Sequence, residues 1–319
     1  MAEKSIVPAS FFGIVLGLAG LGQAWRLASR LWGLPTVVGE SVLGIAALVW
    51  ACLLMNYALQ ALRHRARIRE EFLHPVQGGT PALLGVSTLL IVLAALPYSR
   101  PAAQALTALG IAWHMGFSLW HVGKLWQGGR APEDTVPTLY LPTVAGNFTS
   151  AAALGALGHA DWGWLFIGAG VFSWLAIEPL IYQRLWHPQG LPSRQRPLLG
   201  IQFAPPVVCA MACLILMPGA ADPWLLMLWG YGLFQLLLAL RLWRWLGEQP
   251  FAPSYWSYTF GVAAATVSGL KLALAGVPAA GALAIPVFIG ANLFIGYLAL
   301  RTSWLPLARL LHLSRGAAD

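Results

Sequence analysis

Ten apolar segments joined by short polar connections constrain this chain more than any other feature of its sequence. They cover residues 7–27, 37–62, 81–96, 101–125, 142–157, 162–185, 198–217, 223–246, 255–275 and 281–303. Most approach the ~20 residues that a helix needs to cross the hydrocarbon of a bilayer. Because lipid cannot satisfy free backbone groups, segments that cross it are helices. We therefore predict an all-α integral membrane protein with ten spans in one transmembrane domain over residues 1–319.

The charge of the chain agrees with a membrane environment. Only 9% of its residues are charged, whereas soluble domains carry roughly 25%. The net charge is +8, but the basic residues lie at segment ends, so we expect a lipid bilayer as partner and no nucleic acid. The three cysteines lie inside apolar segments without metal-ligand spacing, and we expect no metal and no cofactor.

Lysine and arginine predict how the chain is oriented. With ten spans, fifteen of the nineteen basic residues fall on the side that holds both termini. The other side holds Arg26, Arg30, Arg100 and Lys271. Since basic residues concentrate in cytoplasmic loops, this asymmetry places both terminal tails in the cytoplasm.

The odd-numbered segments share a pattern of small residues. Each opens near a proline and reaches an anchor residue, and the anchors are separated by 72, 61, 64 and 51 residues: Gly13, Gly85, Gly146, Ala210 and Gly261. Further small or hydroxyl residues extend these stripes at helical spacing: Gly17, Thr149, Ser257, Ala264 and Ser268. The regularity predicts five repeated helical hairpins in a ring, with these residues lining a central pore. Close packing between helices is the other interpretation of such stripes.

One large side chain interrupts the stripe of the ninth segment. Phe260 stands among Ser257, Gly261, Ala264 and Ser268 on one helical face. The ring either projects into a lumen or packs against a neighbouring helix.

Several stretches resemble a known family of membrane proteins. They include FFGIVLGLAGLGQAWR at 11–26, YLPTVAGNFTSAAALGALG at 140–158 and FIGAGVFSWLAIEPL at 166–180. The chain resembles the bacterial tellurite-resistance branch of the tellurite-resistance/dicarboxylate transporter (slow anion channel) family over nearly its whole length. That family includes plant guard-cell slow anion channels and a fungal malate transporter.

The resemblance implies a fold, an assembly and a gate. It implies ten helices as five hairpins around a central pore, a homotrimer with one pore per subunit, and conduction of small inorganic anions. The occluding phenylalanine of the family falls on Phe260, and a pore-lining glycine falls on Gly13. It also implies the bacterial inner membrane and a link to tellurite resistance. The alternative within the family is a proton-coupled carrier of C4-dicarboxylates or of tellurite.

Two ionisable residues bear on the choice between channel and carrier. Lys271 follows the Phe260 stripe to the pore mouth, where a cation raises the local anion concentration, although a terminal lysine can also snorkel to the interface. Glu178 is an intramembrane acid before Pro179, and it either supports a kink, pairs with a basic residue or couples protons. A pore without a fixed binding site favours easily dehydrated anions, such as nitrate over chloride.

A remote alternative is a membrane haem protein. His114 and His121 are seven residues apart and share one face of the fourth segment. Facing histidines can ligate haem, although the two ligands of one haem normally come from different helices. The sequence carries no signature of a catalytic site, so we do not expect an enzyme.

Overall fold

In the computed structural model, residues 7–315 are described, with side chains described for residues 7–304, and the regular structure within this range is entirely helical. The terminal tails that were assigned to the cytoplasm, residues 1–6 and 316–319, lie outside the described residues. The α-helices are α1 (Gly13–Trp32), α2 (Thr36–Arg63), α3 (Arg65–Leu73), α4 (Ala82–Ala95), α5 (Arg100–Trp126), α6 (Gly146–Ala156), α7 (Ala160–Leu185), α8 (Leu199–Gln202), α9 (Ala204–Leu216), α10 (Pro223–Arg241), α11 (Trp243–Leu246), α12 (Ser257–Leu274) and α13 (Pro278–Arg315).

Each of the ten predicted segments is helical, the eighth is divided into α10 and α11, and several segments begin irregularly at their prolines. The 3₁₀ turns Ala9–Phe12 and Pro253–Trp256 precede α1 and α12, and the π-helical turn Leu141–Ala145 precedes α6. The seventh segment is divided at Phe203 into α8 and α9. Proline lacks a backbone donor and clashes with the preceding turn, so it is accommodated most easily near the start of a helix.

The helices of the odd-numbered segments form an inner ring. These inner helices are α1, α4, α6, α9 and α12, and each contacts the next, with α12 returning to α1. Each is followed by an outer helix that packs against it, namely α2, α5, α7, α10 or α13. Consecutive hairpins thus place all five inner helices parallel to one another, with their amino ends on the same side.

The outer helices present apolar side chains to the surroundings. Leu48 on α2 is 65% exposed, Phe172 on α7 is 75% exposed and Leu293 on α13 is 69% exposed. The inner helices are almost completely buried, as Ala151 and Ala265 illustrate. An exposed apolar belt of this extent is the surface that a bilayer covers, so the chain is a multi-pass membrane protein.

Small residues allow the inner helices to approach closely. A Cβ atom added at Gly17 would lie 2.4 Å from Oγ1 of Thr259, and one at Gly20 would lie 2.6 Å from Cβ of Ala263. Helix α1 therefore packs tightly on α12, as small residues permit within membranes.

The number of membrane crossings stays a prediction. Within the described residues, six helical stretches are long and apolar enough to cross a membrane, and they contain α1, α2, α7, α9, α10 and α13. The other four long helices, α4, α5, α6 and α12, are shorter or more polar. Of these four, α4, α6 and α12 are inner helices that the outer ones shield from lipid, so they need less hydropathy to reside in a membrane.

Candidate functional site

The inner ring encloses a small cavity at the amino ends of its helices. This amino-end cavity has a volume of about 80 Å³. It is lined by the start of every inner helix, through Gly13, Leu83, Phe148, Ala204 and Ser257 among others.

A larger cavity lies at the opposite ends of the same helices. This carboxyl-end cavity has a volume of about 490 Å³. Every inner helix again contributes to its wall, through Gln23, Leu93, Ala156, Ile215 and Lys271 among others.

Phe260 borders both cavities. Among the described residues, it alone lines both of them. Its side chain is only 6% exposed and lies one turn inside α12. A phenyl ring therefore stands at the point where the two cavities approach each other.

The amino-end cavity is mostly apolar and carries no charged side chain in its described lining. Its polar groups include the hydroxyls of Ser10, Thr80 and Ser257, and the Ser257 hydroxyl donates a hydrogen bond to the carbonyl of Pro197. The amino ends of five helices face it, and a helix amino end acts as about half a positive charge. The backbone alone thus makes this cavity favourable for anions.

The carboxyl-end cavity contains one neutralised cation. The Arg26 guanidinium forms a bidentate ion pair with Glu40, with both N–O distances at 2.7 Å. It also donates to the carbonyls of Leu93 at 2.9 Å and Ala94 at 3.2 Å. Arg26 therefore fastens the end of α4 to the first hairpin and adds no net charge to the cavity.

Two further cations in this cavity are uncompensated. Arg30 and Lys271 have no hydrogen-bond or ion-pair partner among the described residues, and they lie close enough for their charges to interact. The amide nitrogen of Gln23 is buried in the same wall without an acceptor. The carboxyl ends of five helices carry partial negative charge, and these two cations oppose it.

Gln23 and Arg30 line this cavity although neither belongs to a stripe of small residues. They stand with Arg26 at positions i, i+3 and i+7 of one helix, so a shared face of α1 could have been recognised. The arginines were interpreted only as markers of orientation.

The structure brings five of the predicted site residues to the two cavities. Gly13 and Ser257 line the amino-end cavity, Ala264 and Lys271 line the carboxyl-end cavity, and Phe260 lines both. Their roles in conduction stay predictions.

The structure places four predicted pore-lining glycines at helix contacts. An added Cβ at Gly85 would lie 3.1 Å from the carbonyl of Gly110, and one at Gly146 would lie 2.2 Å from the His114 ring. Gly17 faces Thr259, as described above, and Gly261 faces the start of α9. Within the described linings none of these glycines borders either cavity, so the contacts support the packing interpretation for them.

The remaining small residues of the predicted stripes also sit between helices. The Thr149 hydroxyl donates to the carbonyl of Ala145 at 2.8 Å, and the Ser268 hydroxyl donates to Val207 on α9 at 3.1 Å. Ala210 is fully buried. None of the three belongs to the described lining of either cavity.

Glu178 lies outside both cavities and accepts hydrogen bonds from neutral groups. Its Oε2 accepts from the Tyr140 hydroxyl and from the Trp174 indole, each at 2.6 Å. Its Oε1 accepts from the Gln202 amide at 2.9 Å and, more weakly, from the Tyr231 hydroxyl at 3.5 Å. Among the described residues, no basic side chain forms the pairing with Glu178 that was one of the predicted alternatives.

The two histidines considered as haem ligands serve in helix packing. Nδ1 of His114 is 3.0 Å from Oγ of Ser150, and the His114 ring fills the space beside Gly146. His121 stacks on Phe117 of its own helix, with ring centroids 5.7 Å apart. The His114 ring thus packs between α5 and α6, and the His121 ring packs against its own helix.

The structure thus defines a membrane-embedded ring of helices with a cavity at each end. The chain belongs to the voltage-dependent anion channel family, whose model matches residues 7–303. This family consists of anion channels and transporters. The family membership that the sequence predicted is thus confirmed.

Particular relatives span the bacterial and plant branches. The chain is 36% identical to the tellurite resistance protein TehA homolog of Haemophilus influenzae, over 93% of this chain and 90% of that protein. It is 23% identical to the guard cell S-type anion channel SLAC1 of Arabidopsis thaliana, over 83% of this chain and 50% of that protein. It is also 23% identical to the S-type anion channel SLAH2 of the same plant, over 83% of this chain and 52% of that protein.

Proposed function

We propose that this protein conducts small monovalent anions through a pore that joins the two cavities and that Phe260 occludes. In this proposal ten membrane spans form five hairpins, and the inner helices surround the pore. The observation that carries the proposal is the position of Phe260 in the walls of both cavities. A phenyl ring in a narrow apolar passage excludes water and ions by its bulk and by dewetting.

Electrostatics supports anions as the conducted species. The helix amino ends at one cavity and the Arg30 and Lys271 side chains at the other attract negative charge and repel cations. No charged side chain in the described lining of the amino-end cavity would hold an anion tightly. Weak binding of this kind is what conduction requires.

The same weak binding predicts a selectivity order. Without a fixed site, the cost of dehydrating the anion decides its permeability. We expect nitrate to permeate better than chloride, and both to permeate better than sulfate. Reversal potentials under bi-ionic conditions measure this order, and equal permeability of nitrate and sulfate would contradict it.

The setting of the channel completes the proposal. We place it in the bacterial inner membrane with both termini in the cytoplasm, as a homotrimer with one pore per subunit. The positive-inside asymmetry and the family membership support this placement. The name of the Haemophilus influenzae relative supports a link to tellurite resistance.

A proton-coupled carrier of dicarboxylates or tellurite is the second candidate. Such a carrier needs a titratable group in the substrate path. The described lining of the two cavities contains one carboxylate, Glu40, and that group pairs with Arg26. This pairing favours the channel.

The test of the proposal is the anion current of the Phe260→Ala variant. We expect a large rise in anion conductance over the unmodified protein, with little cation current, because the variant removes the ring between the cavities. Phe288→Ala is the matched control, since Phe288 is a buried phenylalanine on α13 outside both described linings.

A folded but silent Phe260→Ala variant would contradict the channel. Proton-coupled uptake of a C4-dicarboxylate into proteoliposomes would then become the measurement of choice. An equal rise in Phe288→Ala would show that the current reflects loosened packing rather than an opened passage.

A further inference from the structure

We propose that Glu178 is a positioning residue that sets the shape of the amino-end cavity and thereby the anion selectivity of the pore. This inference rests on the proposed function, because it concerns the same pathway. It assigns a role to an intramembrane acid that lines neither cavity.

The first step is the geometry of the carboxylate. Its two oxygen atoms serve different partners, with Tyr140 and Trp174 on Oε2 and Gln202 and Tyr231 on Oε1. These partners come from α7 itself, from the turn before α6, from α8 and from α10. One carboxylate thus connects four parts of the chain.

The second step is the position of those partners around the amino-end cavity. Tyr140 lines the cavity directly, and it is followed by Leu141, which also lines it. Gln202 is the last residue of α8, and its neighbour Ile201 lines the cavity as well. Glu178 therefore restrains two separate portions of the cavity wall from behind.

The third step is the strength of these restraints. Tyr140 and Gln202 are buried, at 1% and 3% exposure, so their donors have few alternative acceptors. Hydrogen bonds to a carboxylate are roughly twice as strong as those between neutral groups. A glutamine at position 178 would keep the size of the side chain but turn one acceptor into a donor, facing donors that already point at it.

The fourth step separates positioning from proton coupling. A carboxylate that couples protons must exchange them with the pathway, whereas Glu178 is held by neutral donors and borders neither described lining. A positioning role predicts that removal of the Tyr140 hydroxyl has the same effect as the change at Glu178. A titrating role predicts an effect of Glu178 alone.

The experiment measures selectivity in channels opened by Phe260→Ala. We expect Glu178→Gln and Tyr140→Phe to change the nitrate-to-chloride permeability ratio in the same direction, by about two- to fivefold. Together they should change it no more than Glu178→Gln does alone, because Tyr140→Phe removes a hydrogen bond that Glu178→Gln also disturbs. Asp161→Asn removes a carboxylate from the first turn of the same helix and should leave the ratio unchanged.

A second experiment measures the accessibility of the amino-end cavity to a thiol reagent and does not depend on anion current. A cysteine introduced as Ser254→Cys lies in the wall of the amino-end cavity, and the exposed Cys52 is replaced by serine. We expect Glu178→Gln and Tyr140→Phe to change its rate of modification by a thiol reagent about two- to fivefold, with no change for Asp161→Asn.

The outcomes distinguish the two proposals. A silent Phe260→Ala channel contradicts the proposed function, and the modification rate then decides the role of Glu178. If Phe260→Ala conducts but Glu178→Gln changes neither the selectivity nor the modification rate, the positioning role is overturned and the proposed function stands. The positioning role is also overturned if the anion current depends on pH and Glu178→Gln removes this dependence while Tyr140→Phe keeps it.

Discussion

The two cavities of the inner ring reach a similar electrostatic character by different means. At the amino-end cavity, the backbone supplies positive potential through five helix amino ends, and the described lining has no charged side chain. At the carboxyl-end cavity the helix ends oppose anions, and Arg30 and Lys271 counteract that effect. A ring of parallel helices is inherently polar from end to end, so a pathway for one sign of charge needs cations at one end only.

The two cavities also differ in how their walls are held. The carboxyl-end wall is fastened from inside by Arg26, whose ion pair and carbonyl contacts lie in the cavity lining. The amino-end wall is fastened from outside, by Glu178 and by Glu71. This arrangement keeps carboxylates out of the narrower cavity, where they would repel anions most strongly.

Replacing Lys271 should have the largest effect on this electrostatic comparison. In the Phe260→Ala background, we expect Lys271→Gln to lower anion conductance about tenfold at low ionic strength, because the carboxyl-end cavity loses half of its uncompensated charge. Added salt should reduce the difference in conductance between Lys271→Gln and its parent, because salt screens the charges in the cavity. Conductance measured over a range of ionic strengths checks this, with Lys271→Arg as the charge-preserving control. A loss that salt leaves unchanged would indicate that Lys271 acts through packing.

Alanine substitutions at two glycines can distinguish a glycine in the cavity wall from a glycine at a helix contact. Gly146→Ala should destabilise the protein by about 1–3 kcal/mol, because the new methyl group overlaps the His114 ring. Gly13→Ala should fold normally, since the nearest atom to its Cβ is 3.7 Å away, but it should narrow the amino-end cavity.

Two measurements separate the glycine variants. Thermal unfolding in detergent should report the loss for Gly146→Ala alone, and anion current in the Phe260→Ala background should fall for Gly13→Ala. Equal stability of the two variants would mean that the helix contact at Gly146 is looser than the structure describes.

The smallest expected effect is on the pH dependence of stability and concerns Glu71, which binds the turn that precedes α1. Its carboxylate accepts from the backbone N–H of Ala9 at 2.7 Å and from the Tyr57 hydroxyl at 3.0 Å. Burial raises the pKa of the Glu71 carboxyl above its ordinary value of 4.5, and these hydrogen bonds offset the shift only in part. The folded protein therefore binds this proton more tightly than the unfolded chain does.

The direction of the pH dependence follows from that difference. The stability that Glu71 contributes should be fully present below pH 4.5 and should be lost as the pH rises through the raised pKa of Glu71. Unfolding temperatures measured over this range should show a slope that Glu71→Gln reduces. The same slope in both proteins would assign the pH dependence to other groups.

Much of the fold could be predicted from the sequence. Apolar length located ten helices, and the small residues of alternate segments identified which helices lie inside. The stripes could not show which glycine borders a cavity, because one face of an inner helix meets both the cavity and its neighbours. Gly13 and Gly146 share the same pattern, and only the position of the His114 ring distinguishes them.

The candidate site was predicted less completely. Phe260 could be recognised because a large ring on a stripe of small residues requires an explanation. Glu178 was noticed as an acid, but its partners Tyr140 and Gln202 are 38 and 24 residues away along the chain. Contacts at that separation depend on how the hairpins close into a ring, which local pattern does not determine.

The measurement that tests the central claim most directly is anion conductance as a function of side-chain size at position 260. Phenylalanine, leucine, valine and alanine form a graded series at this one position. If the ring occludes a pore between the two cavities, anion conductance should rise steadily along that series, while cation conductance stays low. Conductance that is independent of the side chain at position 260, in variants that fold and reach the membrane, would contradict the account.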